Sequence, residues 1–219
     1  MPQPAVGRLH VLTDVTFQTR HTHAELAALA CAGGADTVQF RDKHGALRAR
    51  LEALRETVAA CRAASVPCLA NDDVALALAA AADGVQLGQE DLPIPDARRL
   101  APRPAIVGAT ATTAAQARAA EAEGADYIGF GPVFPTASKA NPASVKGLAG
   151  LAEACAAVSV PVVAIAGITV DRVAPCLAAG AWGVAVMTAV TTAGDVEAAT
   201  RAFGDRVDAW LHESGLTSA

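Results

Sequence analysis

The chain has 219 residues, of which 53% are hydrophobic, and it carries a formal net charge of -5. A chain of this length can bury a sizeable core, and we expect a single domain over residues 1–219. The mild acidity argues against nucleic acid or a membrane as the main partner. A site for an anionic ligand must therefore come from a local cluster of cations.

Cysteine usage and the N-terminal sequence indicate where the protein works. The five cysteines show neither CxxC nor metal-ligand spacing, which favours a structural role and a reducing compartment. The first residues, MPQPAVGRLHVLTD, lack a basic segment followed by an apolar one, and no window approaches about 20 unbroken apolar residues. We expect a cytoplasmic protein without a targeting segment, and the sequence leaves a homo-oligomer possible.

Short β-type runs alternate with alanine-rich helical stretches along the chain. The predicted strands cover residues 9–13, 36–40, 67–71, 83–87, 105–109, 126–130, 161–166 and 182–187. The predicted helices lie at about 22–32, 46–64, 73–81, 95–100, 113–123, 147–157, 170–179 and 195–211. The segments GGAD, AAAD, EGAD and AGAW each close a helix and open a strand, with glycine as the usual left-handed cap.

Eight βα units with nearly continuous apolar strands predict a parallel sheet covered by helices. In a chain of this size the pattern favours an α/β fold, a single (β/α)8 TIM barrel. The barrel would extend over about 9–203, with the last helix ending near 211. An open doubly wound sheet is the alternative, but it normally carries a glycine fingerprint after its first strand, where this chain reads LTDVTFQ.

Polar side chains follow most of the predicted strands. Gln39, Arg41 and Lys43 alternate in QFRDK, so an extended backbone would place all three on one face. The other candidate residues that follow strands are Asn71, Asp72, Asp91, Thr110, Lys139, Gly167 and Thr188. In a TIM barrel the loops after the strands form the catalytic rim, and we therefore expect these residues to converge.

The charged members of this set suggest a metal-bound diphosphate. Asp72 and Asp91 follow neighbouring strands about 4.8 Å apart, so their carboxylates can share one Mg²⁺. Arg41, Lys43 and Lys139 would add positive charge for the phosphate oxygens. Each residue also has an ordinary interpretation: Asp72 as a helix N-cap, Asp91 as a turn residue before two prolines, and the cations as solvated side chains.

Two further segments suggest additional ligand contacts. AIAGIT and AVMTAV, after strands 7 and 8, lie where many TIM barrels bind a monophosphate. The loop over 131–147, GPVFPTASKANPASVKG, is long for a βα connection. Its residues Thr136, Ser138 and Lys139 favour a loop that orders over a ligand, and an ordinary surface loop is the alternative.

Several motifs in register resemble those of the thiamine phosphate synthase family. They are QFRDK, ND, GVQLGQED, GADYIGFGPVFPTASK, VAIAGI and GVAVMTAV, and they extend from about residue 9 to 203. The resemblance implies a TIM-barrel transferase that uses Mg²⁺. It implies that the enzyme joins 4-amino-2-methyl-5-(diphosphooxymethyl)pyrimidine to a thiazole monophosphate, giving thiamine phosphate and pyrophosphate.

The resemblance also implies roles for individual residues. The pyrimidine diphosphate would be held by Gln39, Arg41, Lys43, Asn71 and Lys139, and Mg²⁺ by Asp72 and Asp91. Thr110 would lie beside the pyrimidine, Thr136 and Ser138 at the thiazole, and Gly167, Met187 and Thr188 at its phosphate. The implied mechanism is dissociative: pyrophosphate leaves first, drawn off by Mg²⁺, Arg41, Lys43 and Lys139, and the thiazole nitrogen then attacks the pyrimidine methylene cation.

Three positions depart from the family pattern. Thr110 and Thr188 stand where the family usually has serine, and Ala166-Gly167 replaces a glycine pair. These changes motivate one alternative, a barrel that binds thiamine-pathway phosphates without catalysis. A second alternative is a thiazole tautomerase, which resembles the synthase but relies on a histidine at the position of Thr112.

Overall fold

A closed barrel of eight parallel strands forms the centre of the molecule. The computed structural model describes residues 6–136 and 144–215. Each strand pairs with the next along the chain, and the first pairs with the last. In chain order the strands are β1 (Leu9–Leu12), β2 (Thr37–Phe40), β3 (Cys68–Asn71), β4 (Gly84–Leu87), β5 (Ile106–Ala111), β6 (Tyr127–Phe130), β7 (Val162–Ile165) and β8 (Gly183–Val186). The predicted (β/α)8 barrel is confirmed.

Helices follow the strands and cover the outside of the barrel. They are α1 (His23–Ala32), α2 (Leu47–Ala63), α3 (Val74–Ala79), α4 (Ile94–Leu100), α5 (Ala114–Ala122), α6 (Gly147–Ala157), α7 (Val170–Ala178), α8 (Thr188–Thr191) and α9 (Val196–Glu213). The sequence does not predict the four-residue α8. The other bounds differ from those predicted by two residues or fewer.

Alternation along the strands separates two layers of buried side chains. Outward residues such as Val38 and Val85 belong to the main core between barrel and helices. A second cluster fills the barrel interior with Leu12, Leu69, Ile106, Tyr127, Val163 and Ala185. Gln39 pairs with Leu12 on one side and Leu69 on the other, so this buried glutamine belongs to the interior layer.

Three aspartates that precede strands stabilise the lower rim of the barrel, the end at which the strands begin; the upper rim is the end at which they finish. Asp36 accepts hydrogen bonds from the backbone N–H groups of Arg8 and Leu9, both at 2.9 Å. Asp83 binds the N–H of Cys68, and Asp126 that of Val107, each at 2.8 Å. The GGAD, AAAD and EGAD segments thus end a helix and join a strand to its predecessor.

The fourth such segment, AGAW, has a tryptophan in place of the aspartate. The guanidinium of Arg8 lies 3.7 Å from the ring centroid of Trp182, and its Nη1 donates to the Trp182 carbonyl at 2.7 Å. A cation–π contact and a hydrogen bond therefore join β8 to the segment preceding β1. Within the described residues, no helix is long and apolar enough to cross a membrane, and all five cysteines are free thiols.

A buried histidine inside the barrel makes stability depend on pH. His10 is 1% exposed, and its Nε2 lies 3.0 Å from the Gly7 carbonyl oxygen. Burial lowers the pKa of His10 to about 4, against partial compensation by that hydrogen bond and by Asp36. In the unfolded chain His10 becomes protonated below about pH 6.5, whereas in the folded protein it stays neutral until about pH 4. Between these two pH values protonation of His10 favours the unfolded state.

We therefore expect His10 to remove about 2–3 kcal/mol of stability as the pH falls from 6.5 to 4. His10→Gln, which does not titrate, should show a shallower loss when the free energy of urea unfolding is measured between pH 7 and 4. His44→Gln, at an exposed position, is the control and should keep the parental slope. Equal slopes for the parent and His10→Gln would contradict this assignment.

Candidate active site

The first cluster at the upper rim pairs Arg41 with a carboxylate after β1. Arg41 Nη1 donates to Asp14 Oδ2, and Asp14 Oδ1 accepts from the Thr16 backbone N–H at 2.8 Å. Arg41 comes two residues after the interior residue Gln39, as the predicted alternation requires. The Asp14 side chain is 1% exposed and that of Arg41 18%, so the pair is largely removed from water.

Asp72, Asp91 and Lys43 form the second cluster. Lys43 Nζ donates to Asp72 Oδ2, while Asp91 Oδ2 accepts from the Gly88 N–H at 2.6 Å. The pKa of Asp91 is raised first by burial, and further by its side-chain hydrogen bond to Asp72 and by the charge of that carboxylate, while the Gly88 N–H and Lys43 oppose the shift. The two acids that the sequence places after β3 and β4 are therefore in contact.

Backbone pairing explains why these two carboxylates meet. The β3 residue Asn71 pairs with Gln86 of β4, and the Asp72 N–H continues the ladder to the Gln86 carbonyl at 2.8 Å. Asp72 then adopts a left-handed conformation with φ of 68°, which aspartate tolerates better than most residues. A cavity of about 410 Å³ beside the cluster is lined by residues that include Lys43, Arg50 and Asp72.

The ordinary interpretations of the two acids have different outcomes. Asp72 does not cap α3: its neighbour Asp73 does, accepting from the Leu76 N–H at 2.9 Å. Asp91 does stabilise a turn through Gly88, and it contacts Asp72 as well. A turn role and a ligand-binding role are therefore compatible for Asp91.

A third cluster lies at the ends of β4 and β5. Gln86 Nε2 donates to Thr110 Oγ1 at 3.0 Å, and Gln89 Nε2 donates to the Thr110 carbonyl at 2.6 Å. The Thr110 hydroxyl thus accepts one bond and keeps its own proton for another partner. Thr112 binds Gln116 Oε1 through both its N–H and its hydroxyl, at 2.8 and 3.0 Å.

The loops after β6 and β7 pack against each other. Ala166 and Gly167 have φ values of 79° and 65°, and a Cβ on Gly167 would lie 2.5 Å from the Pro135 carbonyl oxygen. Arg172 Nη1 donates to the Gly167 carbonyl at 2.6 Å, and its guanidinium lies 4.5 Å from the Phe134 ring centroid. The left-handed conformation therefore favours glycine at 167, and the close approach of Pro135 leaves little space for a Cβ.

Of the remaining candidate residues, three are described by the structure and two are not. Met187 precedes α8, where its carbonyl accepts from the Val190 and Thr191 N–H groups at 3.0 and 2.8 Å, and Thr188 begins that helix. Thr136 is half-buried directly after Pro135. Ser138 and Lys139 lie outside the described residues.

Sequence reasoning misses three residues of this rim. Asp14 follows β1 in the segment LTD, a place where aspartate is common in turns. Its position after a barrel strand nevertheless makes it a candidate for the catalytic rim. Gln86 is a polar residue within the apolar run GVQL, and that position is a signal available from the sequence. Arg172 has no local signal, because its partners Phe134 and Gly167 belong to two other loops.

Comparisons with known proteins identify the family of this chain. A family model described as thiamine monophosphate synthase matches residues 9–190. The chain belongs to the thiamine monophosphate synthase family. This confirms the family that the sequence motifs indicate.

Individual relatives of the family match over nearly full length. The thiamine-phosphate synthase of Salinibacter ruber is 54% identical over 213 residues, covering 97% of this chain and 93% of that protein. That of Methanoculleus marisnigri is 47% identical over 201 residues, covering 92% and 95%. The solved thiamine phosphate pyrophosphorylase from Pyrococcus furiosus superposes with a TM-score of 0.85 at 38% identity, covering 93% of this chain and 96% of that one.

The contact between two acids in this family member should cost stability. Asp91→Asn keeps an acceptor for the Gly88 N–H and removes the repulsion from Asp72. We expect the variant, in a chelator at pH 7, to be more stable by about half a kcal/mol, a small gain because the site is partly solvated. Calorimetric melting measures this, with Asp96→Asn in an exposed ion pair as control. A lower melting temperature for Asp91→Asn would contradict the repulsion.

The restriction at Gly167 gives a second prediction for the site. Gly167→Ala combines a left-handed φ with a close approach to Pro135, and we expect it to lose about 1–3 kcal/mol of stability. Urea unfolding measures the loss. Gly194→Ala, where the added Cβ meets nothing within 4 Å, should change stability by less than about 0.5 kcal/mol. Equal stabilities for the two variants would show that the loop can rearrange around residue 167 to accept a Cβ, which would contradict the restriction.

Proposed function

We infer that this chain is a thiamine-phosphate synthase that joins an aminomethylpyrimidine diphosphate to a thiazole monophosphate and releases pyrophosphate. The observation that carries the inference is the contact of Asp72 with Asp91 beside Lys43, on a barrel of this family. This cluster combines oxygen ligands for a cation with a side chain that binds phosphate. Such a pair of functions suits a diphosphate leaving group.

Mg²⁺ fits the residues that would hold it. Asp72 and Asp91 offer carboxylate oxygens, the ligands that Mg²⁺ prefers, and it usually takes only one or two from protein. Burial raises the pKa of Asp91, and the neighbouring Asp72 carboxylate raises it further; a divalent cation would favour the charged form of both acids. Bound there, Mg²⁺ supplies positive charge to the departing pyrophosphate.

The cations of the rim would orient and stabilise the diphosphate. Arg41 offers a planar fork of donors suited to phosphate oxygens, and Lys43 a mobile ammonium. Lys139 remains a predicted third cation, outside the described residues. Their charges favour loss of pyrophosphate because negative charge accumulates on it as the carbon–oxygen bond breaks. No protein nucleophile is required, since the thiazole nitrogen attacks the pyrimidine methylene cation.

Polar residues inside the rim would orient the pyrimidine. We assign Gln39 and Asn71 to it, together with Thr110, whose hydroxyl accepts from Gln86 and is left to donate. Holding the ring in one orientation converts the attack into a step between positioned partners. The threonine retains the hydroxyl of the family's usual serine.

The thiazole phosphate would bind at the ends of β7 and β8. We assign Gly167, Met187 and Thr188 to its phosphate, and Thr136 and Ser138 to the thiazole, with Ser138 outside the described residues. Support comes from the positions of Gly167, Met187 and Thr188 after β7 and β8, where many TIM barrels bind a phosphate. A cytoplasmic location and a homo-oligomer stay predictions.

The tautomerase alternative is disfavoured by the residue at 112. Thr112 stands where that enzyme has its histidine, and both its N–H and its hydroxyl bind Gln116. A threonine hydroxyl held in this way is no general base near neutral pH. The chain therefore lacks the proton acceptor that the tautomerase reaction requires at this position.

The synthase function predicts pyrophosphate release only when both substrates and Mg²⁺ are present. Asp91→Ala should lower kcat/KM by about 100-fold or more at fixed Mg²⁺ while staying folded, because it removes one of two ion ligands. A coupled pyrophosphate assay with circular dichroism measures both quantities. Parental protein that binds both substrates by calorimetry without turnover would instead support the non-catalytic binder.

The matched control for this assay is Glu90→Ala, which removes an exposed carboxylate next to Asp91. It should keep parental kinetics and parental Mg²⁺ dependence. If Asp91→Ala keeps its turnover, Asp91 is removed from the ion site. If Glu90→Ala loses as much as Asp91→Ala, the loss reflects general charge in the loop.

A further inference from the structure

Asp14 is a buried carboxylate that the assignments above leave without a role. Its side chain is 1% exposed, and both of its oxygens are used, one by Arg41 Nη1 and one by the Thr16 N–H at 2.8 Å. A carboxylate so far from water is costly unless it is paired. Its single cationic partner in the described structure is the arginine assigned to the diphosphate.

The geometry of a guanidinium allows one arginine to serve two anions. Arginine has five N–H donors in a fixed planar fork. Nη1 can hold Asp14 while the rest of the fork remains for phosphate oxygens. Because Asp14 is itself fixed by the Thr16 backbone, the pair restricts where the plane of Arg41 can point.

A second buried carboxylate paired with arginine lies at the lower rim, away from the candidate active site, and it serves as a comparison for Asp14. Asp126 is also 1% exposed, pairs with Arg98 and with Arg103 at 2.6 Å, and accepts from the Val107 N–H at 2.8 Å. It precedes β6, whereas Asp14 follows β1. In a TIM barrel the end that precedes the strands stabilises the fold and the end that follows them carries the chemistry.

We propose that Asp14 is a positioning residue that sets the guanidinium of Arg41 for the diphosphate of the substrate. The proposal rests on the proposed synthase function. Asp14 touches neither substrate, and its effect passes through Arg41. It therefore acts on binding and orientation of the diphosphate and leaves the thiazole phosphate, at the ends of β7 and β8, unaffected.

Asp14→Asn tests the proposal, because the amide is uncharged and has one acceptor oxygen for two donors, Arg41 Nη1 and the Thr16 N–H. We expect the KM for the pyrimidine diphosphate to rise about 10- to 100-fold, the KM for the thiazole phosphate to change less than about 2-fold, and calorimetric affinity for Mg²⁺-pyrophosphate to fall in parallel. Asp126→Asn should lower the melting temperature and leave both KM values unchanged. If both variants lose stability and neither changes KM, Asp14 is structural only.

A double-mutant cycle separates action through Arg41 from a direct effect. In an Arg41→Gln background, Asp14→Asn should change the KM and the pyrophosphate affinity by less than about 2-fold. The same large rise in both backgrounds would overturn the proposal. Absence of parental turnover would reject the synthase function alone, because pyrophosphate affinity tests the Asp14–Arg41 coupling without the reaction.

A second variant covers the case in which Asp14→Asn fails to fold. Asp14→Glu keeps the negative charge and moves the carboxylate by one methylene. We expect a folded protein with a raised KM for the diphosphate and an unchanged KM for the thiazole phosphate. A folded glutamate variant with parental kinetics would count against positioning, since the proposal depends on where the carboxylate lies.

Discussion

Closure of the strand ladder is the constraint on which the site depends. β1 pairs with both β2 and β8, so every strand has two parallel neighbours and all eight end at the same rim. Residues far apart in sequence become neighbours because their strands are paired. Asp72 and Asp91 meet for this reason: Asn71 lies opposite Gln86 in the ladder, and each acid follows its strand by a short connection.

The two rims treat their carboxylates in opposite ways. At the lower rim Asp36, Asp83 and Asp126 each accept hydrogen bonds from backbone N–H groups of the preceding strand, and Asp126 also pairs with Arg98 and Arg103, so these carboxylates stabilise the fold. At the upper rim the pKa of Asp91 is raised by burial and by Asp72. Like charges in contact are retained there at a cost in stability, and such unrelieved interactions are typical of functional sites.

Much of the barrel and part of the candidate site could be predicted from the sequence, because they depend on local patterns of residues. Apolar runs between alanine-rich helices give the strands, and the alternation in QFRDK places Gln39 in the barrel interior. The N-cap of α3 could not be read from the sequence, since Asp72 and Asp73 are adjacent and equally suited. Backbone conformation decides it: Asp72 takes a φ of 68°, which directs it to the rim and leaves Asp73 to cap.

The rest depends on partners that no local pattern specifies. The role of Asp14 is visible only once Arg41 lies beside it, and the strands that bring them together are separated by α1. Arg172 joins two loops through Phe134 and Gly167, so its position follows from the packed structure. The short helix α8 has a TAVT sequence without a side-chain cap, which explains why periodicity does not find it.

The charge balance of the rim gives a physical reason for a metal in the proposed reaction. In the first two clusters of the upper rim, taken together, both cations contact carboxylates, and three acids stand against two cations. With all five groups ionised, a diphosphate approaching these clusters alone would meet net negative charge. Asp72 and Asp91 would hold a divalent cation, which would reverse that sign and leave the Lys43 ammonium available to phosphate. In the proposed reaction, diphosphate binding would therefore depend on the ion, and the Asp14–Arg41 pair would orient the diphosphate.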